Sequence, residues 1–134
     1  MKAPTVLVVD DNPTNLQLYR DLLDLGDYGA ILLDDGGRAL ETARECRPAL
    51  ILMDIQLPGR SGIEVADEIF RAMAGEAARI LALTASCRRP GLVEQLRESG
   101  FIGLLSKPCG MATFLEAVRW GVETPEPAFR VFGD

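Results

Sequence analysis

The sequence predicts an α/β protein: a doubly wound, five-stranded parallel sheet with helices on both faces. Three observations lead there. Five short apolar runs alternate with five stretches of helical periodicity. The runs are nearly continuous in hydrophobic residues, the pattern of strands covered on both faces. Strict alternation of strand and helix implies parallel strands joined by right-handed crossovers.

The first run is Thr5–Val9. Pro13 then fits the first turn of a helix, where its missing N–H costs nothing, with Asp11 or Asn12 as the cap. Leu18, Leu22 and Leu25 mark one face of that helix. The second run, Tyr28–Leu33, leads to a helix with Ala39, Ala43 and Cys46 on one face and Pro48 as a stop. Leu50–Met53 is the third run, and Ile63, Ala66, Phe70 and Met73 define the helix after it. Ile80–Leu83 is the fourth, and the breaker pair Pro90-Gly91 precedes a weaker helix carrying Leu92, Val93 and Leu96. The fifth, Phe101–Leu105, is followed by Met111, Phe114, Leu115 and Val118 at i, i+3, i+4, i+7. This organisation gives one domain over residues 1–122 and a tail over 123–134.

Composition narrows the function. A chain of 134 residues has room for one ordinary domain, and 48% hydrophobic residues suffice for a proper core. A net charge of −6 argues against a nucleic-acid surface, which needs clustered Lys and Arg. There is no apolar run long enough to span a bilayer and no signal-peptide pattern, so a cytoplasmic protein is expected. Cys46, Cys87 and Cys109 form no C-x-x-C pair and read as small buried hydrophobes. The absence of histidine excludes Ser-His-Asp catalysis, Cys-His catalysis and His-ligated zinc. Any chemistry must run on carboxylates, hydroxyls, lysine and a hard metal ion.

In a doubly wound sheet the ligand site lies beyond the carboxyl ends of the strands. Asp10 and Asp11 close the first run, Asp54 the third and Thr84 the fourth, and Lys107 follows the fifth. Asp34 and Asp35 close the second run, but that strand lies at the sheet edge. Taken singly, each residue has an ordinary explanation: a helix cap, a loop acid, a β-branched strand residue, a solvated charge. Their joint placement on one rim does not. Converging carboxylates repel one another, and a hard divalent cation such as Mg²⁺ relieves the conflict. A metal, a carboxylate nucleophile, a lysine and a hydroxyl are what phosphoryl transfer requires, the carboxylate accepting the group as an acyl phosphate.

The segments VLVVDDNPTN, LILMDIQLPGRSG, ILALTA and LLSKP, in that order, resemble the signature of response-regulator receiver domains, and the resemblance extends over residues 5–120. It is nearest to stand-alone cell-division-type regulators and to receivers of hybrid sensor kinases. It implies a flavodoxin-like (βα)5 fold with strand order 2-1-3-4-5 and a phosphoacceptor switch in two-component signalling. Asp54 would accept a phosphoryl group from phosphohistidine on a histidine kinase or a histidine phosphotransfer protein. Asp10, Asp11, Asp54 and the carbonyl of Gln56 would hold Mg²⁺, with Mn²⁺ as a substitute. Thr84 and Lys107 would contact the phosphoryl group, as would the amides of Ile55 and Ala85. Pro58-Gly59 would shape the loop beside the acceptor, and Lys107-Pro108 would be a cis peptide. Output would pass to a protein target through the face made by the fourth helix, fifth strand and fifth helix, with no nucleic acid or membrane involved. The domain would not be an enzyme beyond its own phosphorylation and dephosphorylation.

Three positions depart from the family. Leu104 stands where an aromatic residue or histidine is usual, so it either sits inward as core or leaves the usual aromatic–threonine coupling in doubt. Ser86–Gly91 carries the basic pair Arg88 and Arg89, which either docks an acidic partner or is simply solvated. The tail breaks at Pro125 and Pro127 and then places Phe129, Val131 and Phe132 near the terminus. It folds back, pairs with another chain, or begins a further segment. Two other functions draw on the same residues. An aspartyl-nucleophile phosphatase needs an acid two residues past the nucleophile, and Gln56 cannot donate that proton. A degenerate, phosphate-independent scaffold has only Leu104 in its favour.

Overall fold

The computed structural model describes residues 3–76, 78–85 and 89–133. Six parallel strands form one sheet in the order β2-β1-β3-β4-β5-β6. They are β1 (Thr5–Val9), β2 (Gly29–Leu33), β3 (Leu50–Asp54), β4 (Ile80–Thr84), β5 (Gly103–Ser106) and β6 (Arg130–Phe132). Five helices alternate with the first five strands: α1 (Pro13–Leu25), α2 (Ala39–Cys46), α3 (Gly62–Ala72), α4 (Leu92–Ser99) and α5 (Met111–Glu123). The expected order 2-1-3-4-5 is present, extended by one short strand from the tail.

Two apolar layers sandwich the sheet. On one face Tyr19 and Leu23 of α1 join Phe114, Ala117 and Val118 of α5 over Val6, Val8, Leu50, Leu52, Leu81, Leu83 and Leu105. On the other, α2, α3 and α4 cover Leu7, Val9, Ile51, Met53, Ile80, Ala82 and Leu104. Alternate residues of each strand therefore enter opposite layers, as the pleat requires. The central strands β3 and β4 are buried along their whole length, whereas β2 at the edge is mostly half-buried.

Local chemistry fixes the ends. Asn12, not Asp11, caps α1, its side chain accepting from the amides of Thr14 and Asn15. Ser61 and Glu64 form a reciprocal capping box on α3, an S-x-x-E signal legible in the sequence but absent from the expectations above. Asp35 accepts from the Gly37 amide at 2.7 Å and caps a single 3-10 turn before α2. Gly91, at φ 79°, turns the chain into α4.

Several expectations shift. The buried stripe of α1 is Tyr19 and Leu23; of the leucine triplet Leu22 is half-buried against the same cluster, and Leu18 and Leu25 are exposed. Cys46 is exposed at the last residue of α2, where the helix has left the core, and Cys109 is half-buried. Cys87 and Arg88 lie outside the described residues. Phe101 precedes β5: its amide closes the end of α4 on the Leu96 carbonyl, and its ring meets Phe70 edge-on at 5.8 Å.

Phe114 has no exposed surface and stacks on Tyr19 with ring centroids 5.3 Å apart. We expect Phe114→Ala to cost about 3–5 kcal/mol, from lost transfer energy plus an unfilled cavity. Urea denaturation with an unchanged slope would check it.

Candidate functional site at the carboxyl rim of the sheet

The ladder brings the rim residues together. The Asp10 amide donates to the Leu33 carbonyl at 3.0 Å, one step past the end of β1, which buries the Asp10 side chain completely. Asp54 is the last residue of β3 and is 3% exposed. Thr84 ends β4 opposite Ser106 of β5, and both are buried. The Lys107 amide donates to the Thr84 carbonyl at 2.8 Å, so the β4–β5 pairing itself aims the lysine back across the rim.

Lys107 is the hub. Its Nζ lies 3.1 Å from Asp54 Oδ2 and 3.4 Å from Asp10 Oδ2, with the lysine side chain only 16% exposed. The carboxylates have further donors. The Asn12 amide reaches Asp10 Oδ1 at 2.9 Å, Asn15 Nδ2 reaches Asp10 Oδ2 at 3.4 Å, and the Gln56 amide reaches Asp54 Oδ1 at 2.8 Å. Asp11 is exposed, but one of its oxygens lies within 4.8 Å of oxygens of both Asp10 and Asp54. That spacing suits one hard cation bridged by carboxylates, with its remaining positions open to water.

Burial pushes the Asp10 carboxyl above its ordinary range, and the neighbouring Asp54 charge adds to the shift. The Asn12 amide and Lys107 oppose it without cancelling it. The Tyr19 phenol, beneath Asp10, is likewise driven upward, chiefly by burial.

Of the residues singled out from the sequence, Asp10, Asp11, Asp54 and Lys107 converge, and Thr84 stands buried at the end of the neighbouring strand. The Lys107-Pro108 bond is cis. Gln56 follows β3 with its amide on Asp54, and Ala85 is exposed just past Thr84. The Ile55 amide donates to the Leu83 carbonyl at 3.1 Å, continuing the β3–β4 ladder. The amide beside Asp54 is that of Gln56, one residue on, where the strand has ended.

Two residues escaped the sequence reading. Asn15 adds a side-chain donor to Asp10 from the first turn of α1. Gly62, the first residue of α3, lies so close to β3 that a Cβ there would stand 2.1 Å from the Asp54 carbonyl oxygen. Only glycine lets α3 begin against the backbone of Asp54. Its place in the RSG end of the motif was the available signal; the contact itself depends on how α3 folds back.

Two clefts flank the carboxylates. One, of about 320 Å³, is lined by Asn15, Leu18, Tyr19, Leu22, Ala85, Lys107, Pro108 and Cys109. The other, of about 220 Å³, is lined by Ile55, Gln56, Ser61, Ile63, Thr84 and Arg89. Burial raises the Cys109 thiol pKa, which keeps it protonated.

The chain belongs to the response regulator receiver domain family, whose model matches residues 6–119. It is similar to the polar-differentiation response regulators DivK of Brucella anthropi and Brucella ovis. Each is 38% identical over 120 residues, covering 86% of this chain and 93% of the relative. Among solved structures it resembles the chemotaxis protein CheY4 of Vibrio cholerae, with a TM-score of 0.81, 26% identity and coverage of 87% of this chain and 97% of that one. The receiver domain of a sensor histidine kinase from Pseudomonas aeruginosa PAO1 has a TM-score of 0.81 and 29% identity, covering 91% of this chain and 99% of that one. That structure holds a magnesium ion in its active-site cleft. Among the described residues of the present chain, no helix is long and apolar enough to cross a membrane.

The raised Asp10 pKa has a signed consequence. Below its ordinary value of 3.8 the group is protonated in both folded and unfolded chains. As pH rises, the unfolded chain releases its proton first, so this group's contribution to stability falls until the folded value is passed. We expect Asp10→Asn to raise Tm at neutral pH in EDTA, with the gain shrinking to nothing in acid. Thermal melts across pH would check this.

Proposed function

We propose that this domain is a phosphoacceptor switch of two-component signalling, in which Asp54 accepts a phosphoryl group from phosphohistidine on a histidine kinase or histidine phosphotransfer protein. The observation that carries the reading is the bridge of Lys107 to two buried carboxylates, Asp10 and Asp54, beside a third, Asp11. Such a group of acids is poised for cation binding, and its all-oxygen donor set fits Mg²⁺. Asp10, Asp11, Asp54 and the Gln56 carbonyl would hold it. When bound, the ion neutralises charge on the transferring phosphoryl group.

The chain's own residues do the rest. An Asp54 carboxylate oxygen attacks phosphorus in line with the departing imidazole nitrogen, forming an acyl phosphate. Lys107 turns from the carboxylate to a phosphoryl oxygen, which keeps its ammonium paired throughout. The Gln56 amide and the Thr84 hydroxyl donate to phosphoryl oxygens, with the Ala85 amide beside them. Engagement of Thr84 pulls on the end of β4 and so on the approach to α4. Output goes to a protein target through the α4–β5–α5 face, and the setting is the cytoplasm. Gln56 has no proton to give a leaving group, so turnover of phosphoesters is not part of this function.

We expect acetyl phosphate with Mg²⁺ or Mn²⁺ to add the mass of one phosphoryl group, labile to base, and EDTA to prevent it. Asp54→Asn should abolish the adduct; an adduct that persisted would move the acceptor elsewhere.

Leu104 is fully buried in the layer beneath α4. Keeping a leucine there is worth roughly 1.5–3 kcal/mol relative to exposing it. We therefore expect a beryllofluoride mimic to change hydrogen exchange at Ala85 and residues 89–92 far more than at residues 103–105. A large change centred on Leu104 would mean that it moves as the usual aromatic does.

A further inference from the structure

The outer edge of β5 is not free: the chain's own residues 129–132 lie along it. Gly103 pairs with Arg130, Leu104 with Val131 and Leu105 with Phe132, all in parallel. Side chains anchor the segment on both flanks of β5. The Phe132 ring is 3% exposed and packs 5.2 Å from Trp120 of α5. The Phe129 ring packs on the opposite layer, with the Arg97 guanidinium of α4 5.3 Å from its centre. Between them Arg130 lies 4.4 Å over the Phe132 ring and 3.8 Å from Glu116 of α5.

The floor of this slot is shaped for a strand. A Cβ at Gly103 would stand 2.4 Å from the Arg130 carbonyl oxygen, so only glycine lets another backbone come so close. The approach to the slot is held separately. Arg79, ahead of β4, donates to the carbonyls of Gly121 at 2.9 Å, of Thr124, and of Pro125 at 2.8 Å. The tail is thus pinned at Pro125, and beyond it a three-residue ladder, two rings and the Arg130–Glu116 pair hold the segment.

We propose that the channel between α4 and α5 along β5 is a strand-docking site. Residues 129–132 occupy it from within the chain, and the partner it fits is an extended segment reading aromatic–basic–any–aromatic, added parallel to β5. The proposal rests on the reading of α4–β5–α5 as the output face, and names what that face takes. A partner strand would repeat the contacts of Phe129 and Phe132, its basic residue facing Glu116, while displacing the resident segment.

The test uses the full chain without Mg²⁺ or phosphodonor, so its failure leaves the phosphoacceptor reading untouched. The probe is a synthetic peptide of residues 126–134, and the signal is the fluorescence of Trp120, the chain's single tryptophan. Phe132→Ala should loosen the resident strand, and the peptide should then bind saturably, at least tenfold more tightly than to the wild-type chain. A peptide with both phenylalanines replaced by alanine should not bind. Should Phe132→Ala fail to fold by circular dichroism, Phe129→Ala opens the slot from its other flank. Equal binding to wild type and variant, or no binding to a folded variant, would overturn the proposal.

Discussion

The structure depends on one electrostatic compromise: two carboxylates, Asp10 and Asp54, buried at the ends of adjacent strands and held by a single ammonium. Burying like charges side by side is costly, and the sheet accepts that cost because Lys107 and the backbone amides of Asn12 and Gln56 meet them. Each helper is delivered by a regular feature. Lys107 comes from the β4–β5 ladder, Asn12 from the cap of α1, and Gln56 from the break at the end of β3. The fold is thus arranged around a site that is unfavourable by itself, as functional sites commonly are.

Most of the fold was legible because its signals are local. Continuous apolar runs bounded by polar residues located β1, β3 and β4 within a residue, and Pro13 located the start of α1. Facing was harder. The i, i+4, i+7 leucines of α1 suggest a stripe of which Leu22 packs on the core while Leu18 and Leu25 face solvent, and the buried pair is Tyr19, stacked on Phe114, and Leu23. No repeat in the sequence announces which of two overlapping stripes finds a partner across the sheet.

The site divides in the same way. Side chains at strand ends could be read directly, since strand termini share a rim in any parallel sheet. Backbone donors could not. Whether Ile55 or Gln56 offers its amide to Asp54 turns on where the ladder stops, and Ile55 is still paired with Leu83. Gly62 was hidden for a similar reason: its closeness to the Asp54 carbonyl arises only when α3 doubles back on β3. The tail has three fates open to it in the sequence, because three apolar residues do not name the surface that will cover them. The groove beside β5 does, through Gly103 and Trp120.

The anchoring of Pro125 by Arg79 also has a kinetic side. Three residues separate Pro125 from Phe129, and the four Cα–Cα steps between them reach at most about 14 Å at full extension. A strand on so short a leash does not diffuse away when it lets go; it rebinds from a local concentration on the order of millimolar. Any free segment of modest affinity therefore meets a competitor that never leaves. The leash works as a threshold, passing only partners that bind strongly or arrive already tethered nearby.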